Sequence, residues 1–398
     1  MNQNEVQKEL FNKNGSIEMT AATDKSSNNK NQSKAKRFSI KKIIITIVFI
    51  IISFSITALF IFKDTLLLRA IQNNANPIVI TALISIGADV NIRHENSMTL
   101  LMFVVSQGNN LDVIRSLINA GADVNAEDEI LMTPIMYAAY FNTNPEVTAV
   151  LINAGANIKY QNDNGSTPLM VAAGHNANPD VITALINAGA DVNTKDNSGN
   201  TALSWAAESN TNPEVTMTII KAGADVNSLA IIGWTPLMWA ISFNTNPEVV
   251  ELLINAGTII KMKDVNGNTP LMLAALRNAS PEVITSLINA GADVNEKNTN
   301  GMTSLIYAAR RNSIEVMTTL IDAGAEVNVK NMHGMTPLML VALRESYPEA
   351  IMALLQLGAD PKVIDNFGKM AIDYARENEG LAETEALRKL EEASKNNS

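Results

Sequence analysis

The chain has 398 residues, a formal net charge of −10 and no cysteine, which excludes disulfides, thiolate metal sites, cysteine nucleophiles and a cysteine-linked lipid anchor. Residues 1–62 carry 9 Lys and Arg against 4 Asp and Glu, a net +5, so the remainder of the chain carries −15. A main part this acidic argues against general nucleic-acid binding through phosphate neutralisation.

The N-terminal segment, residues 1–39, is rich in Asn, Lys, Ser and Gln and has almost no aliphatic clustering. Such a composition cannot bury enough apolar surface to offset the conformational entropy lost on ordering. We therefore predict a disordered polar tail, whose lysines serve as a topology signal and not as a binding site.

A long apolar run follows the tail. Ile43 to Phe62 contains no charged residue, and a helix of this length spans about 30 Å, the thickness of a bilayer's hydrocarbon core. Lys41, Lys42 and Lys63 bracket the run as membrane-interface residues do. A cleaved signal peptide has a shorter apolar core of about 7–15 residues, and a buried globular helix is the other alternative. We predict an uncleaved transmembrane signal anchor at residues 40–62.

The orientation of this anchor follows from the distribution of basic residues on its two sides. Upstream lie Lys34, Lys36, Arg37, Lys41 and Lys42, whereas only Lys63 and Arg69 lie close downstream. This bias predicts a single-pass protein of the inner (cell) membrane with a cytoplasmic N-terminus. Residues 63–398 are then periplasmic or extracellular.

The rest of the chain is an internal repeat. A threonine recurs every 34 residues, with a single step of 33, at Thr65, Thr99, Thr133, Thr167, Thr201, Thr235, Thr269, Thr303 and Thr336, and Met370 takes the tenth place. A glycine keeps the same period from Gly87 to Gly358. A fixed period of this length is the signature of a solenoid, in which each unit packs only on its neighbours.

Each unit contains the signals of two helices. In the unit of Thr167, Pro168 suits a first helical turn, and Asn178-Pro179 is a cap followed by a proline at the first position of a second helix. The second helix is predicted to bury Val181, Leu185 and Ile186, and Gly189 ends it in the left-handed region. A polar hairpin loop then leads through Gly199 to the next unit.

This unit resembles the ankyrin repeat. The resemblance rests on Gly-x-Thr-Pro-Leu, as in residues 165–169 and 233–237, and on Gly-Ala-Asp-Val-Asn, as in residues 121–125 and 189–193, and it covers residues 65 to about 380. It implies an all-α solenoid of nine to ten repeats within residues 63–398. Three features depart from the family pattern: Met replaces the usual His after Thr-Pro-Leu, each unit has one extra residue between its helices, and Ser97 and Leu131 replace the hairpin glycine.

The two ends of the array are atypical, as expected of terminal repeats. The first unit begins at Thr65, directly after the apolar run, so we expect the array to stand on the bilayer without a flexible stalk. The last unit, Met370 to about Lys395, lacks Thr-Pro and ends in charged residues. It is predicted to form a polar capping helix.

No catalytic grouping is evident, so we predict that the protein is not an enzyme and needs no cofactor or metal. His94, His175 and His333 fall in different repeats and are interpreted as solvent-exposed loop residues. Carboxylates such as Asp191 and Asp225 recur in register and are explained by the fold of the unit.

The resemblance implies a partner protein or peptide on the concave face, formed by hairpin tips and the ends of first helices. Two apolar groups occupy these positions and are candidate contacts: Ile130, Met132, Tyr140 and Phe141, and, three units on, Ile231, Ile232, Trp234 and Phe243. Large exposed apolar patches mark interaction sites, and aromatic residues dominate interface hot spots. The alternative is that these side chains pack on adjacent hairpins.

A basic stripe on three consecutive first helices is the second candidate: Arg277, Arg310, Arg311 and Arg344. Arginine can bind carboxylates through two hydrogen bonds, although exposed charges often form only a solvated face. Tyr137, Trp205, Trp239 and Tyr307 lie at an inward position and are assigned to the core.

The sequence thus predicts a membrane-tethered protein-interaction scaffold. The alternatives are a structural, self-associating envelope protein, with the apolar hairpin as the self-contact, and a regulator of a neighbouring membrane protein.

Overall fold

The computed structural model describes residues 44–395 except 50, 54, 56, 109, 312, 345 and 346. The predicted tail at residues 1–39 and the basic residues before the apolar run lie outside this range. The chain divides into two compact units, residues 1–89 and residues 90–398.

The described part of the first unit contains two helices, α1 (Ile44–Gln72) and α2 (Pro77–Ser85). Helix α1 is long and apolar enough to cross a membrane, and no other described helix passes this test of length and composition. Helix α1 runs without a break through Thr65, the residue at which the first repeat was expected to begin. No proline follows Thr65, so nothing in the sequence ends the helix at this point.

Polar contacts join the turn that follows α2 to helix α1. Lys63 donates a hydrogen bond from Nζ to the carbonyl oxygen of Gly87, and Asp64 accepts one from the backbone N–H of Asp89 at 2.8 Å. Helix α2 begins at the cap Asn76, whose side chain accepts from the N–H of Ile78 at 2.9 Å.

The second unit contains nine pairs of antiparallel helices in its described residues. The pairs are α3 (Leu100–Gln107) with α4 (Leu111–Asn119), α5 (Pro134–Phe141) with α6 (Pro145–Asn153), α7 (Pro168–His175) with α8 (Pro179–Asn187), α9 (Ala202–Ser209) with α10 (Pro213–Lys221), α11 (Pro236–Phe243) with α12 (Pro247–Asn255), α13 (Pro270–Arg277) with α14 (Pro281–Asn289), α15 (Ser304–Arg311) with α16 (Ile314–Asp322), α17 (Pro337–Leu343) with α18 (Pro348–Gln356), and α19 (Ala371–Glu377) with α20 (Glu385–Lys395).

The predicted cap Asn178 is confirmed, and Thr167 caps the first helix of the same repeat. The hydroxyl of Thr167 accepts a hydrogen bond from the N–H of Met170 at 3.2 Å, and Asn178 accepts one from Asp180 at 2.9 Å. Each satisfies a backbone donor that the first turn of its helix leaves without a partner. The hairpins of Ser97 and Leu131 form without glycine, since both residues adopt the left-handed conformation, at φ of 59° and 57°. Such backbone is strained for a residue with a Cβ.

The helices form two layers. Each first helix packs on the first helix of the next repeat, and each second helix on the next second helix. First helices are buried on nearly all sides, as α7 is from Pro168 to Gly174. Second helices bury one face only: in α8 this face is Val181, Ile182 and Leu185, whereas Ile186 is half-buried. The prediction of Ile186 in the core is therefore wrong, and Ile182 takes its place.

Buried asparagines join consecutive repeats at the turn between the two helices. The Nδ2 group of Asn210 donates to the carbonyl oxygens of Ala173 and Asn176, both at 2.9 Å. Its Oδ1 accepts from the N–H of Asn212 at 3.0 Å. Asn142, Asn176, Asn244 and Asn378 make the same set of bonds. One side chain thus satisfies the backbone of two repeats at once.

A second set of asparagines joins the turns that follow the second helices. The last residue of Gly-Ala-Asp-Val-Asn, for example Asn193, donates to the carbonyl oxygen of Gly223 at 3.2 Å and accepts from the N–H of Asp225 at 2.8 Å. Asn125 and Asn295 do the same with the following repeats. The motif recurs because its asparagine bonds to the next unit.

The last repeat contains two helices, α19 and α20, separated by a short 3₁₀ turn at Glu379–Leu381. The polar capping helix predicted at the C-terminus corresponds to α20. Helix α20 buries Ala386 and Leu390 and carries charged residues elsewhere, including Glu391, which pairs with Arg376 at 3.0 Å.

Replacing Asn210 with Ala should destabilise the protein by about 2–4 kcal/mol, because two buried carbonyl groups and one N–H lose their partner. The thermal unfolding midpoint, followed by circular dichroism on the full chain in detergent, should fall. Asn187→Ala is the matched control, since Asn187 is exposed on α8. An equal midpoint for the two variants would contradict the bridging role.

Candidate protein-binding surface

The hairpin tips share one construction. An Asp or Asn accepts hydrogen bonds from the N–H groups two and four residues later; for Asp196 these come from Ser198 at 2.9 Å and Asn200 at 2.8 Å. The same geometry holds at Asp128, Asn162, Asp264, Asn298, Asn331 and Asp365. A local side-chain acceptor of this kind closes a tight turn.

In several repeats the same side chain also binds an aromatic ring nine residues later. Tyr137 donates to Asp128 at 2.6 Å, Trp205 donates from Nε1 to Asp196 at 3.0 Å, and Tyr374 donates to Asp365. Burial, together with the hydrogen bond to Asp365, raises the pKa of Tyr374 to about 12, so its hydroxyl stays protonated. The carboxylate therefore fixes both the hairpin and the first helix.

The four aromatic residues that were assigned to the core differ in their burial. Tyr137 and Tyr307 are buried, as predicted, but Trp205 and Trp239 are only half-buried. An indole at this position is too large to be covered by the hairpin, so part of each ring faces solvent.

Ala230 breaks the hairpin construction. It occupies the position of Asp196 one repeat later and supplies no side-chain acceptor for the N–H groups of its hairpin. Nine residues on, the indole Nε1 of Trp239 is buried and has no hydrogen-bond partner among the described residues. A buried donor without a partner costs about 1–3 kcal/mol. This repeat lacks a stabilising interaction that its neighbours have.

The Ala230 hairpin is also the most apolar one. Ile231 is 72 % exposed, and Leu229 and Ile232 are exposed beside it. Phe243, at the end of α11, is exposed as well. Trp234, expected at the surface, is half-buried, and its ring lies 4.7 Å from that of Trp239 and 6.0 Å from that of Phe243. These residues form a continuous surface, which we call the apolar hairpin patch (residues 229–234 and Phe243).

The other apolar group lies three repeats earlier in the stack. Ile130, Tyr140 and Phe141 are exposed and Met132 is half-buried; the rings of Tyr140 and Phe141 lie 4.4 Å apart. The ring of His175 stacks on Tyr140 at 4.2 Å. His175 is exposed, as predicted, but it ends helix α7 and does not lie in a loop. Burial lowers its pKa, which favours the neutral ring that stacks.

The four arginines form a basic face at the C-terminal ends of α13, α15 and α17, with Arg344 as the residue after α17. Arg277 lies over the ring of Phe243, 5.0 Å from its centre, and so borders the apolar hairpin patch. Arg311 donates from Nε to the carbonyl oxygen of Leu276 at 2.6 Å, and Arg344 donates to that of Arg310. Arg311 and Arg344 therefore span successive repeats, as the turn asparagines do.

Two open clefts border these arginines. One, of about 300 Å³, is lined by Phe243 and Arg277, and the other, of about 500 Å³, by Arg310 and Arg344 together with Met332 and Leu343. Met332 and Leu343 are exposed and were missed in the sequence, although they occupy the same hairpin-tip and helix-end positions as the predicted contacts. Within the described residues, no three His, Asp or Glu side chains are grouped as metal ligands.

A comparison with known families agrees with this architecture. The family description for ankyrin repeats in three copies matches residues 67–162, 135–230, 210–298 and 274–365, which together cover most of the chain. The chain belongs to the ankyrin-repeat family. No individual protein of curated function matches it.

Replacing Ala230 with Asp should stabilise the protein by about 1–2 kcal/mol, because the carboxylate would accept from the hairpin N–H groups and from the Trp239 indole. The unfolding midpoint of the full chain should rise. In the background of Trp239→Phe, which removes the indole donor, the gain should be smaller. An unchanged gain in that background would show that the indole plays no part.

Proposed function

We propose that the protein is a membrane-tethered scaffold that binds another protein on the face formed by hairpin tips and first-helix ends. Ankyrin repeats are in general protein-interaction modules, which supports the class of function. The apolar hairpin patch supports the location, because it is the largest run of exposed aliphatic side chains on any described hairpin.

The observation that carries the proposal is the construction of this hairpin. Every other repeat from Asp128 onward closes its hairpin with an Asp or Asn, whereas this one has Ala230 and exposes Leu229, Ile231 and Ile232. Such a change lowers stability and exposes apolar surface to water. Loss of stability at a binding surface is the usual consequence of selection for function there.

The tether in this proposal is α1. Its hydropathy and length suit a membrane span, and the excess of Lys and Arg before it favours a cytoplasmic N-terminus. The array would then face the periplasm or the exterior. A self-associating envelope protein, with the patch of one copy on another, is the second candidate, and its support is the same exposed hairpin.

A photo-reactive residue at Ile231 should give a discrete crosslink to a different protein in intact cells, because Ile231 is the most exposed side chain of the patch. Its matched control is Asp163, which has the same hairpin position two repeats earlier and is also exposed. Adducts are identified by mass spectrometry.

The crosslinking outcomes separate the candidates. A heterologous adduct at Ile231 and none at Asp163 supports the scaffold. Adducts only between copies of the chain would favour the self-associating protein, and equal adducts at both positions would remove the patch as a specific site.

The orientation can be measured with single cysteines, because the chain has none of its own. Asn187→Cys, on the exposed face of α8, should react with a membrane-impermeant maleimide on intact cells, after outer-membrane permeabilisation where one is present. Ser33→Cys should react only after lysis. The opposite pattern would reverse the proposed topology, and reaction of both on intact cells would argue against a membrane-spanning α1.

A further inference from the structure

The binding face changes its chemistry along the stack. At the two positions that end each first helix, two of the earlier repeats carry aromatic residues, Tyr140 with Phe141 and, three repeats on, Phe243, and the next three repeats carry arginines. The change occurs at the contact between Phe243 and Arg277. A ligand that lies along this face therefore meets an apolar surface at one end and a basic surface at the other.

The basic end is not neutralised within the described residues. The ion pairs found there are Lys263–Glu296, Lys369–Glu377, Arg376–Glu391 and Lys389–Glu392, and none of them involves an arginine of this face. Residues 63–398 carry a net charge of −15, so carboxylates are abundant elsewhere in the array. Glu345, which follows Arg344, lies outside the described residues. A row of arginines without carboxylates in an acidic protein is an electrostatic feature that complements a negative ligand.

Among the described residues, two of the four arginines donate hydrogen bonds within the array and two donate none, which leaves these two available to a ligand. Arg311 and Arg344 donate to backbone carbonyl groups of the preceding repeat. Arg277 contacts the ring of Phe243, and the exposed Arg310 lines the larger cleft. Arg277 and Arg310 lie in consecutive repeats, each beside a cleft that has both apolar and basic walls.

We propose that the partner binds through an extended acidic segment, with an apolar side chain on the apolar hairpin patch and carboxylates on Arg277 and Arg310. The inference rests on the proposed function and adds the chemistry of the ligand. Packed helices lie about 8–10 Å apart, and an extended chain rises about 3.3 Å per residue. Consecutive repeats therefore match every third residue of the ligand, which gives the pattern aromatic-x-x-Glu-x-x-Glu.

A protein segment fits this face better than a nucleic acid or an anionic membrane does. The clefts combine the arginines with apolar side chains such as Phe243 and Leu343, which suits a peptide with mixed side chains. A long polyanion would meet the acidic remainder of the array and be repelled. A short segment places its carboxylates only where the arginines are, and arginine binds each through two hydrogen bonds.

The test measures binding of labelled synthetic peptides to the full chain in detergent by fluorescence anisotropy. Each peptide contains one Phe and two Glu at intervals of two to five residues, with the Phe at either the N-terminal or the C-terminal end of the pattern. Matched peptides carry Gln in place of Glu. The three-residue interval should bind most tightly, and Gln for Glu should weaken it by about tenfold or more. No saturable binding by any Glu peptide would overturn the proposal.

The variant Arg277→Gln/Arg310→Gln should weaken the best peptide by about tenfold or more, whereas Arg115→Gln/Lys221→Gln should not. The control removes the same charge from exposed positions on second helices. An equal loss of peptide affinity in both variants would mean that only the net charge of the protein matters, and would contradict a specific role of Arg277 and Arg310.

Tighter, arginine-dependent binding of a single-stranded oligonucleotide or of anionic vesicles would assign another class of ligand. A heterologous crosslink at Ile231 without any peptide binding would contradict the acidic segment as the ligand but would still support the scaffold proposal.

Discussion

The structure depends on side chains that satisfy the backbone of two repeats at once. Each turn between helices leaves N–H and C=O groups that helix bonding does not use. Asn210 supplies both a donor and an acceptor there, and Asn193 does so at the other turn. Because these bonds reach 30 or more residues along the chain, one repeat is complete only when its neighbour is folded. The regular spacing of the sequence is a consequence of this requirement.

The departures from this regular bonding coincide with the proposed binding face. Ala230 omits the acceptor of its hairpin, and the indole of Trp239 loses its partner nine residues away. In the later repeats Arg311 and Arg344 also donate to backbone carbonyl groups of the preceding repeat. A residue on this face thus serves stacking and surface chemistry together, and substitutions there need a stability measurement beside any binding measurement.

The first compact unit, residues 1–89, departs from the regular repeat. Helix α1 is continuous from Ile44 to Gln72, so the apolar run and the first repeat helix are one element without a stalk between them. Lys63 and Asp64 of α1 form hydrogen bonds with the turn that follows α2. The threonine period does not reveal this continuity, because Thr65 is in register but lacks the proline and the preceding break that make a threonine an N-cap.

The sequence by itself determined the repeat, its two helices, their caps and the family. These follow from local rules, in which Thr-Pro and Asn-Pro start helices and glycine ends them. It also predicted that Ile231, Phe243 and Arg277 lie on one face, because each occupies a hairpin-tip or helix-end position relative to the threonine of its repeat. Only the tertiary structure decided that Ile182 and not Ile186 is buried, that His175 stacks on Tyr140, and that Trp239 lacks an acceptor. Those facts depend on contacts between repeats, and the spacing within one repeat does not contain them.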